Sequence, residues 1–392
     1  MITVGLAGKP NAGKSTFFKA ATSADVEVGN YPFTTIEANR GVTHVRTDCP
    51  CLELDERCGN CRDGRRYVPV EIIDVAGLVP EAHKGRGLGN QFLDELRQAD
   101  VIVHVVDAAG ATDSEGEPVA VGEHSPVEDV DFLEEELDMW TYGILRDNWE
   151  KIERRSRTPD FDFESELTDV LTGVGATENE IRLALRRIDQ PESFGDWDDS
   201  DIRLLAREIR RITKPIAVAA NKVDIAPDDL VEKLLDTEGV VVPTTGKAEL
   251  GLRNGDESGI LSYAPGDSEF EILEDDGVSD SQLKALGEIR GVFDEYGGTG
   301  IQKVLNDAVY GLLERVTVYP VENESGWTDG SGNVLPDAFL LERGSTPVDL
   351  AYSVHSDVGE GYLHAVDART RQRIANDYEV EEGDVIKIVS TA

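Results

Sequence analysis

ITVGLAGKPNAGKST, residues 2–16, is the stretch on which the fold turns. Residues 2–7 form an apolar run of buried-strand type. Gly8-Lys9-Pro10-Asn11-Ala12-Gly13-Lys14-Ser15-Thr16 then matches G-x-x-x-x-G-K-[ST], and FFKAATS follows with helical character. Strand, glycine-rich loop and helix in this order make a phosphate cradle. Backbone N–H groups of Asn11, Ala12, Gly13, Lys14, Ser15 and Thr16 wrap the phosphates, and the helix N-terminus adds positive potential. Lys14 reaches the terminal phosphates, and the Ser15 hydroxyl is placed to ligate Mg²⁺.

A phosphate cradle does not name the nucleotide, and three downstream segments narrow it. IIDVAG (72–77) ends an apolar strand in Asp74, where a carboxylate can serve Mg²⁺. Gly77 follows in D-x-x-G spacing, so its backbone N–H can meet a γ-phosphate. IAVAANKVD (216–224) is another apolar strand, ending in Asn221, Lys222 and Asp224. A carboxylate at Asp224 accepts from guanine N1–H and its 2-amino group. Adenine offers no donor there, and an unpaired carboxylate in a closed site costs on the order of several kcal/mol. VVVPTTGKAEL (240–250) places the polar turn Thr245-Gly246 after a third strand, suited to closing over a base.

The chain has 392 residues, 40% of them hydrophobic, enough for two to four packed domains. With 78 acidic residues against 38 basic ones, the formal net charge is −40. The acids are spread along the chain rather than gathered in a tail. A spread charge fits a whole-surface adaptation to concentrated salt better than an acidic interaction tail. The composition resembles that of halophilic archaeal proteins. The opening MITVGLAGKP has no basic leader, and no apolar run approaches a membrane span. A cytoplasmic protein is expected, with no membrane or DNA partner.

NYPFTTIEANRG (30–41), DVAGLVPEAHKGRGLGNQFLDELRQAD (74–100) and the C-terminal segment together resemble the Obg-like, YchF-related GTPases, archaeal branch, along the whole length. The resemblance implies an α/β fold: a P-loop NTPase G domain with a helical insertion, and a C-terminal α+β domain of β-grasp (TGS) type. It also implies a translation-associated nucleotide hydrolase that meets the ribosome and ribosomal RNA. By position, Thr35 would be the switch threonine reaching Mg²⁺ and the γ-phosphate, with Thr34 the second choice. Lys14, Thr35, Gly77 and Asn11 would form the catalytic set. Leu78 stands where many GTPases place a water-orienting Gln, and an apolar side chain cannot polarise water. In related GTPases an Asn at the position of Asn11 holds a K⁺ that supplies positive charge. The alternative is that Asn11 only shapes the loop. His83 and His124 lie near the expected switch regions and are further candidates. Asn221, Lys222 and Asp224 point to GTP, since many YchF proteins that prefer ATP lack this set.

All four cysteines, Cys49, Cys51, Cys58 and Cys61, fall in CPCLELDERCGNC (49–61). The segment lies between the strand expected over 36–46 and the strand expected over 68–73, at the tip of an enlarged hairpin. In a reducing compartment, four thiolates at C-x-C-x6-C-x2-C suit tetrahedral Zn²⁺. Two disulfides, four free thiols, a redox sensor or an iron–sulfur cluster are the alternatives. Arg57, Arg62, Arg65 and Arg66 make a basic island in the same loop. It would contact RNA phosphates, or pair with Asp55, Glu56 and Asp63.

The polar, glycine-rich segment 108–125 reads as a boundary. Residues 127–210 carry helical periodicity and predict two or three long antiparallel helices inserted before the Asn221 strand. Their basic stretches, Arg154–Arg157 and Arg207–Arg211, read as solvated faces with local acidic partners. The expected organisation is a G domain over 1–126 and 211–250, an insertion over 127–210, a helical extension over 251–313 and a β-grasp domain over 314–392. In the last, four short strands surround one helix, and Arg369, Arg371 and Arg373 are the dense basic cluster. An ATPase of the same fold in a stress or redox response, and a nucleotide-gated RNA or ribosome adaptor, remain the rival functions.

Overall fold

The computed structural model describes residues 1–22, 39–55, 57–75, 95–191, 193–273 and 278–391. Its central sheet is built from β1 (Thr3–Ala7), β2 (Arg40–Asp48), β3 (Cys61–Arg62), β4 (Arg65–Asp74), β5 (Val101–Asp107), β6 (Ile216–Asn221) and β7 (Val240–Thr244). The strand order is β2-β4-β1-β5-β6-β7, with β3 paired to β4. The β4-β1-β5-β6-β7 core is parallel, whereas β2 runs antiparallel to β4. Parallel strands covered on both faces are largely apolar, as in VIVHVVD of β5, where every residue is buried and only His104 and Asp107 are polar.

The register brings all the motif ends to one edge. Leu6 pairs with Asp74, Ala7 with His104, Asp107 with Asn221, and Asn221 with Thr244. The loop after β1 feeds helix α1 (Lys14–Thr22) at that edge. Ligands of open parallel sheets bind outside the carboxyl ends of the strands, because loops and helix N-termini converge there.

Between β5 and β6 stand four helices: α2 (Pro126–Arg155), α3 (Phe163–Leu171), α4 (Glu178–Arg187) and α5 (Asp199–Thr213). The sequence predicts two or three long ones. The extra boundaries come from caps inside the periodic run. Asp162 accepts from Ser165 N–H, and Thr177 with Glu180 and Asp198 with Asp201 form capping boxes. The 30 residues of α2 span about 45 Å. Its first half puts Leu133 and Leu137 on the sheet beside Ile73 and Ile102. Its second half puts Leu145, Trp149 and Ile152 into a separate core with Leu167, Ile181, Leu205 and Ile209. The arm's arginines are largely paired. Arg210, only 3% exposed, meets Asp138 at 2.7 Å and Glu134 at 3.3 Å. Arg155 meets Glu166 at 2.6 Å.

After β6 come α6 (Asp228–Leu235), α7 (Gly246–Glu257), the hairpin β8 (Leu261–Ser262) and β9 (Glu271–Ile272), α8 (Asp280–Tyr296) and α9 (Ile301–Asn306), which runs on as a wider turn over Asp307–Leu312. The sequence leaves open whether this extension packs on the arm or on the sheet. It packs on the sheet: Ile301, Val304, Leu305 and Val309 share a core with Val4, Leu6, Phe17 and Val103. The C-terminal domain contains β10 (Arg315–Val321), β11 (Phe339–Glu342), α10 (Pro347–Val354), α11 (Ser356–Glu360), β12 (Tyr362–Asp367), β13 (Gln372–Ile374) and β14 (Val385–Ser390). Its order is β11-β10-β14-β12-β13, with β10 and β14 parallel, around Val318, Leu350, Ala365 and Ile386. This is the expected grasp, with β13 added beyond Arg371, whose φ of 59° makes the turn. Among the described residues no helix is long and apolar enough to cross a membrane.

Candidate nucleotide site and cysteine knob

The phosphate loop is held in its shape by its surroundings. Gly8 has φ 153°, and a Cβ there would lie 2.5 Å from the Val105 carbonyl oxygen. Gly13 has φ 99°, and its Cβ would fall 2.2 Å from Asn221 Nδ2. Asn11 is left-handed at φ 62°, a region that Asn tolerates better than most residues. Its Nδ2 donates to the Gly116 carbonyl at 3.0 Å. The segment 108–125, expected as a boundary, therefore folds back over the loop.

Lys14 opens α1, and its Nζ forms a tight ion pair with Asp74 and donates to the Val75 carbonyl at 2.6 Å. The two groups assigned to phosphate and Mg²⁺ thus stand together, each less than one-fifth exposed. Ser15, on the first turn, is exposed and Thr16 half-buried. A hydroxyl and a carboxylate beside a helix N-terminus are hard oxygen donors, which fits Mg²⁺ held jointly by protein and phosphates.

Asn221 and Lys222 do not face outward. Asn221 Nδ2 donates to the Ala12 carbonyl at 3.0 Å, while its Oδ1 accepts from Gly246 N–H at 3.1 Å. Lys222, at φ 70°, donates to the Asn11 carbonyl at 2.8 Å and pairs with the fully buried Asp107 at 2.9 Å. These two residues stitch the phosphate loop to the ends of β5 and β6. Asp224, two residues on, is exposed. Thr245 is buried: its N–H donates to the Thr299 carbonyl at 2.9 Å and its hydroxyl accepts from Ala248 N–H at 3.4 Å. Gly246 lies so close to α1 that a Cβ would sit 3.3 Å from Phe17 N. This turn braces α7 against the phosphate-loop helix.

Behind the loop lies a cluster that sequence reasoning missed. Lys9, 5% exposed, donates to the Thr112 carbonyl and meets Asp129 of α2, both at 2.8 Å. His124 bonds Asp129 at 2.9 Å. His104 on β5 completes a cavity of about 170 Å³, and burial with the Lys9 charge pushes its imidazole down to about 3. His124, a catalytic candidate by sequence, is thus a partner of Asp129. Lys9 occupies a variable position of the motif, so no signal marks it. Thr35, Thr34, Gly77, Leu78 and His83 lie outside the described residues.

The cysteines gather at the opposite end of the β2–β4 hairpin, whose register runs from Arg40↔Ile73 to Asp48↔Arg65. None forms a disulfide. The four sulfurs lie within 4.8 Å of one another, with Cys49–Cys58 at 3.7 Å and Cys51–Cys61 at 3.5 Å. Four sulfurs about 2.3 Å from a central Zn²⁺ would be about 3.8 Å apart, so the donor set and its spacing fit. Asn60 N–H donates to Cys58 Sγ at 3.3 Å, a bond that favours thiolate character.

Three of the four arginines of the basic island find partners within the chain, other than the acids suggested by sequence. Arg62 reaches Asp256 with two bonds of 3.2 Å, and Arg65 pairs with Asp48. Arg66 is buried, donating to the Pro336 carbonyl at 3.0 Å and lying over the Tyr319 ring. Arg57 is exposed. Arg369 of the C-terminal cluster is likewise bound to Glu53 at 2.7 and 2.8 Å.

Comparison with known proteins matches three family models in chain order. A 50S ribosome-binding GTPase model covers residues 3–133. The G4 motif-containing domain of Obg-like GTPase YGR210-like covers 219–323. A TGS domain covers 331–390. The chain is 46% identical over 400 residues to an uncharacterized GTP-binding protein of Methanocaldococcus jannaschii, covering 100% of both chains. The crystal structure of a GTP binding protein from Pyrococcus horikoshii OT3 is similar at 40% identity and TM-score 0.79, again over 100% of both chains. The ribosome-binding ATPase YchF of Pasteurella multocida is 28% identical over 371 residues, 92% of this chain and 86% of that protein. With a phosphate loop, Asp74, the Asn221–Asp224 turn and a grasp domain in the same order, the chain belongs to the YchF/Obg-like family of P-loop GTPases, hydrolases of nucleoside triphosphates with a C-terminal TGS domain.

Proposed function

We propose that the chain is a Mg²⁺-dependent GTPase of the cytoplasm that works in association with the ribosome. The observation carrying the base preference is Asp224. It stands exposed on a turn whose other two motif residues, Asn221 and Lys222, are tied by 3.0 and 2.8 Å bonds to the phosphate loop. A carboxylate held at fixed distance from the phosphates reads the purine edge of whatever nucleotide occupies the loop. Guanine offers two donors to it and adenine none. Lys14 and the α1 N-terminus take the phosphate charge, and Ser15 and Asp74 would hold Mg²⁺, which would neutralise charge developing on the phosphates. Thr35 and Gly77 complete this reading as the γ-phosphate contacts. Thr245 and Gly246 serve as the brace behind the base site.

Phosphate release from GTP and ATP, side by side in molar KCl with Mg²⁺, tests the proposal. GTP is expected to be the better substrate by at least tenfold in kcat/KM. Equal use, or preference for ATP, would move the chain to the reading suggested by its YchF-named relatives. K⁺ enters through Asn11: its amide N–H₂ is engaged by Gly116, and its side-chain oxygen would be the cation ligand. Equal turnover in matched KCl and NaCl would remove K⁺ from the reading.

Ribosome association rests on the names of relatives and on the matched domain model. The pairing of Arg62, Arg65 and Arg66 speaks against the knob as an RNA-binding island. Co-sedimentation with ribosomes, repeated with Lys14→Ala, checks whether association needs a competent phosphate loop. If association survives this change in full, an adaptor with incidental turnover is the better description. The four cysteines are read as a structural Zn²⁺ site, and the protein as purified is expected to carry about one Zn²⁺ per chain.

A further inference from the structure

The cysteine knob has a partner within the chain. Cys49 and Cys51 are 2% and 0% exposed, and what covers them includes the C-terminal domain: they share a core with Tyr319, Trp327, Leu335 and Val385. Polar contacts surround this patch. Glu53 takes two bonds from Arg369, at 2.7 and 2.8 Å, while Arg369 also lies over the Trp327 ring and donates to the Gly383 carbonyl at 3.0 Å. Arg66 donates to the Pro336 carbonyl at 3.0 Å, and Asn60 to the Leu335 carbonyl at 3.4 Å. At the edge, the Thr47 hydroxyl donates to Glu382 at 2.6 Å.

The platform itself has almost no regular structure. Among the described residues between Asp48 and Arg65 there is one short turn, Pro50–Glu53, and the two-residue strand Cys61–Arg62. A few backbone bonds hold it, such as Cys49 N–H to the Gly64 carbonyl at 2.8 Å. With so little local scaffolding, the positions of Glu53, Asn60 and the buried sulfurs depend on what ties the four thiols together.

We propose that the metal at the four cysteines is the latch that seats the TGS domain on the β2–β4 hairpin. This rests on reading the knob as a Zn²⁺ site. The zinc-bound knob presents a shaped face and the TGS domain docks on it. Loss of the metal by chelation collapses that face and frees the domain. The hairpin carrying the knob also carries Asp74, at the other end of β4, about 30 Å along the strand. Because coupling is reciprocal, a metal that favours docking must be held more tightly by the docked protein.

The test uses the full chain, zinc content by colorimetric release, and hydrogen exchange followed by mass spectrometry. Removing zinc is expected to raise exchange over 327–336 and 382–384 by about tenfold or more, as typical coupling energies imply. The strands around Val318 and Ile386 stay protected, because they belong to the TGS domain's own core. Glu53→Arg, which leaves every cysteine in place, should raise the same exchange with zinc still near one per chain. It should also speed zinc loss to a chelator by about tenfold. Adding Arg369→Glu should reverse both effects. A protein without stoichiometric zinc would overturn this proposal together with the Zn²⁺ reading. Zinc present, with exchange unchanged on its removal and zinc loss unchanged in Glu53→Arg, would overturn the latch alone. If the metal-free chain unfolds throughout, the Glu53→Arg and double-variant results decide.

Discussion

Asn221 and Lys222 spend their polar atoms on the phosphate loop and Asp107, leaving Asp224 the one member of that motif presented outward. A similar economy governs the buried histidines. His44 sits in β2 with burial, then the Arg253 charge, pushing its imidazole down to about 4, and His104 is pushed to about 3. Both are neutral when folded and take up a proton near pH 6.5 when unfolded. The unfolded state therefore binds more protons below that pH. Their contribution to stability is complete above about 6.5 and is lost as pH falls, toward 4 for His44 and toward 3 for His104. His44→Gln should flatten this acid limb by on the order of 2 kcal/mol between pH 6.5 and 4, read by urea unfolding of both proteins. Parallel stability curves would show that His44 is not the titrating group. At this scale the sequence displays a motif's residue types but not which way each faces. Asn221 and Asp224 differ by direction, which their neighbours impose.

Among the elements, the 30-residue helix α2 does most to organise the molecule. Leu133 and Leu137 fasten it to the sheet, and Asp129 grips Lys9 beneath the phosphate loop. Further along, Trp149 stacks on Phe194 at 5.2 Å and meets Trp197 and Phe163. The arm therefore has a core of its own, with the sheet as its foundation. Trp149→Ala should cost the arm roughly 3–5 kcal/mol, the usual price of removing a buried aromatic. Hydrogen exchange should rise across α3, α4 and α5, while GTP turnover without ribosomes stays within about twofold, since Trp149 touches no part of the nucleotide edge. A matching loss of turnover would mean that arm and sheet fold as one unit. The arm's periodicity is plain in the sequence. Its division into four helices depends on caps at Asp162, Thr177 and Asp198, which outweigh a continuous apolar stripe.

For the whole molecule, a net charge of −40 sets the conditions of stability. Its cations are drawn into pairs such as Arg210–Asp138, Arg253–Glu249 and Arg369–Glu53, leaving a surplus of acids that repel one another. Salt shortens the reach of that repulsion from about 10 Å at 0.1 M to about 3 Å at 1 M. The melting temperature should rise by several degrees over that range of KCl, and NaCl should act alike. A melting temperature independent of salt would show that the acids are spaced widely enough to ignore one another.

The sequence by itself determined the phosphate loop, the order of the strands that carry Asp74 and Asn221, the β-grasp at the C-terminus and the gathering of the four cysteines at one hairpin tip. Each of these is local: a periodicity, a turn or a spacing within a few residues. Tertiary structure alone decided where the remaining polar groups find partners. It buried Lys9 on Asp129, folded 108–125 over Asn11, packed 301–309 on the sheet and sent Arg66 and Glu53 to the TGS domain. Such pairings join residues up to 335 positions apart, as with Thr47 and Glu382. They arise because buried charges and amides must find a partner wherever the packed cores bring one near, and the composition of a short segment carries no record of that.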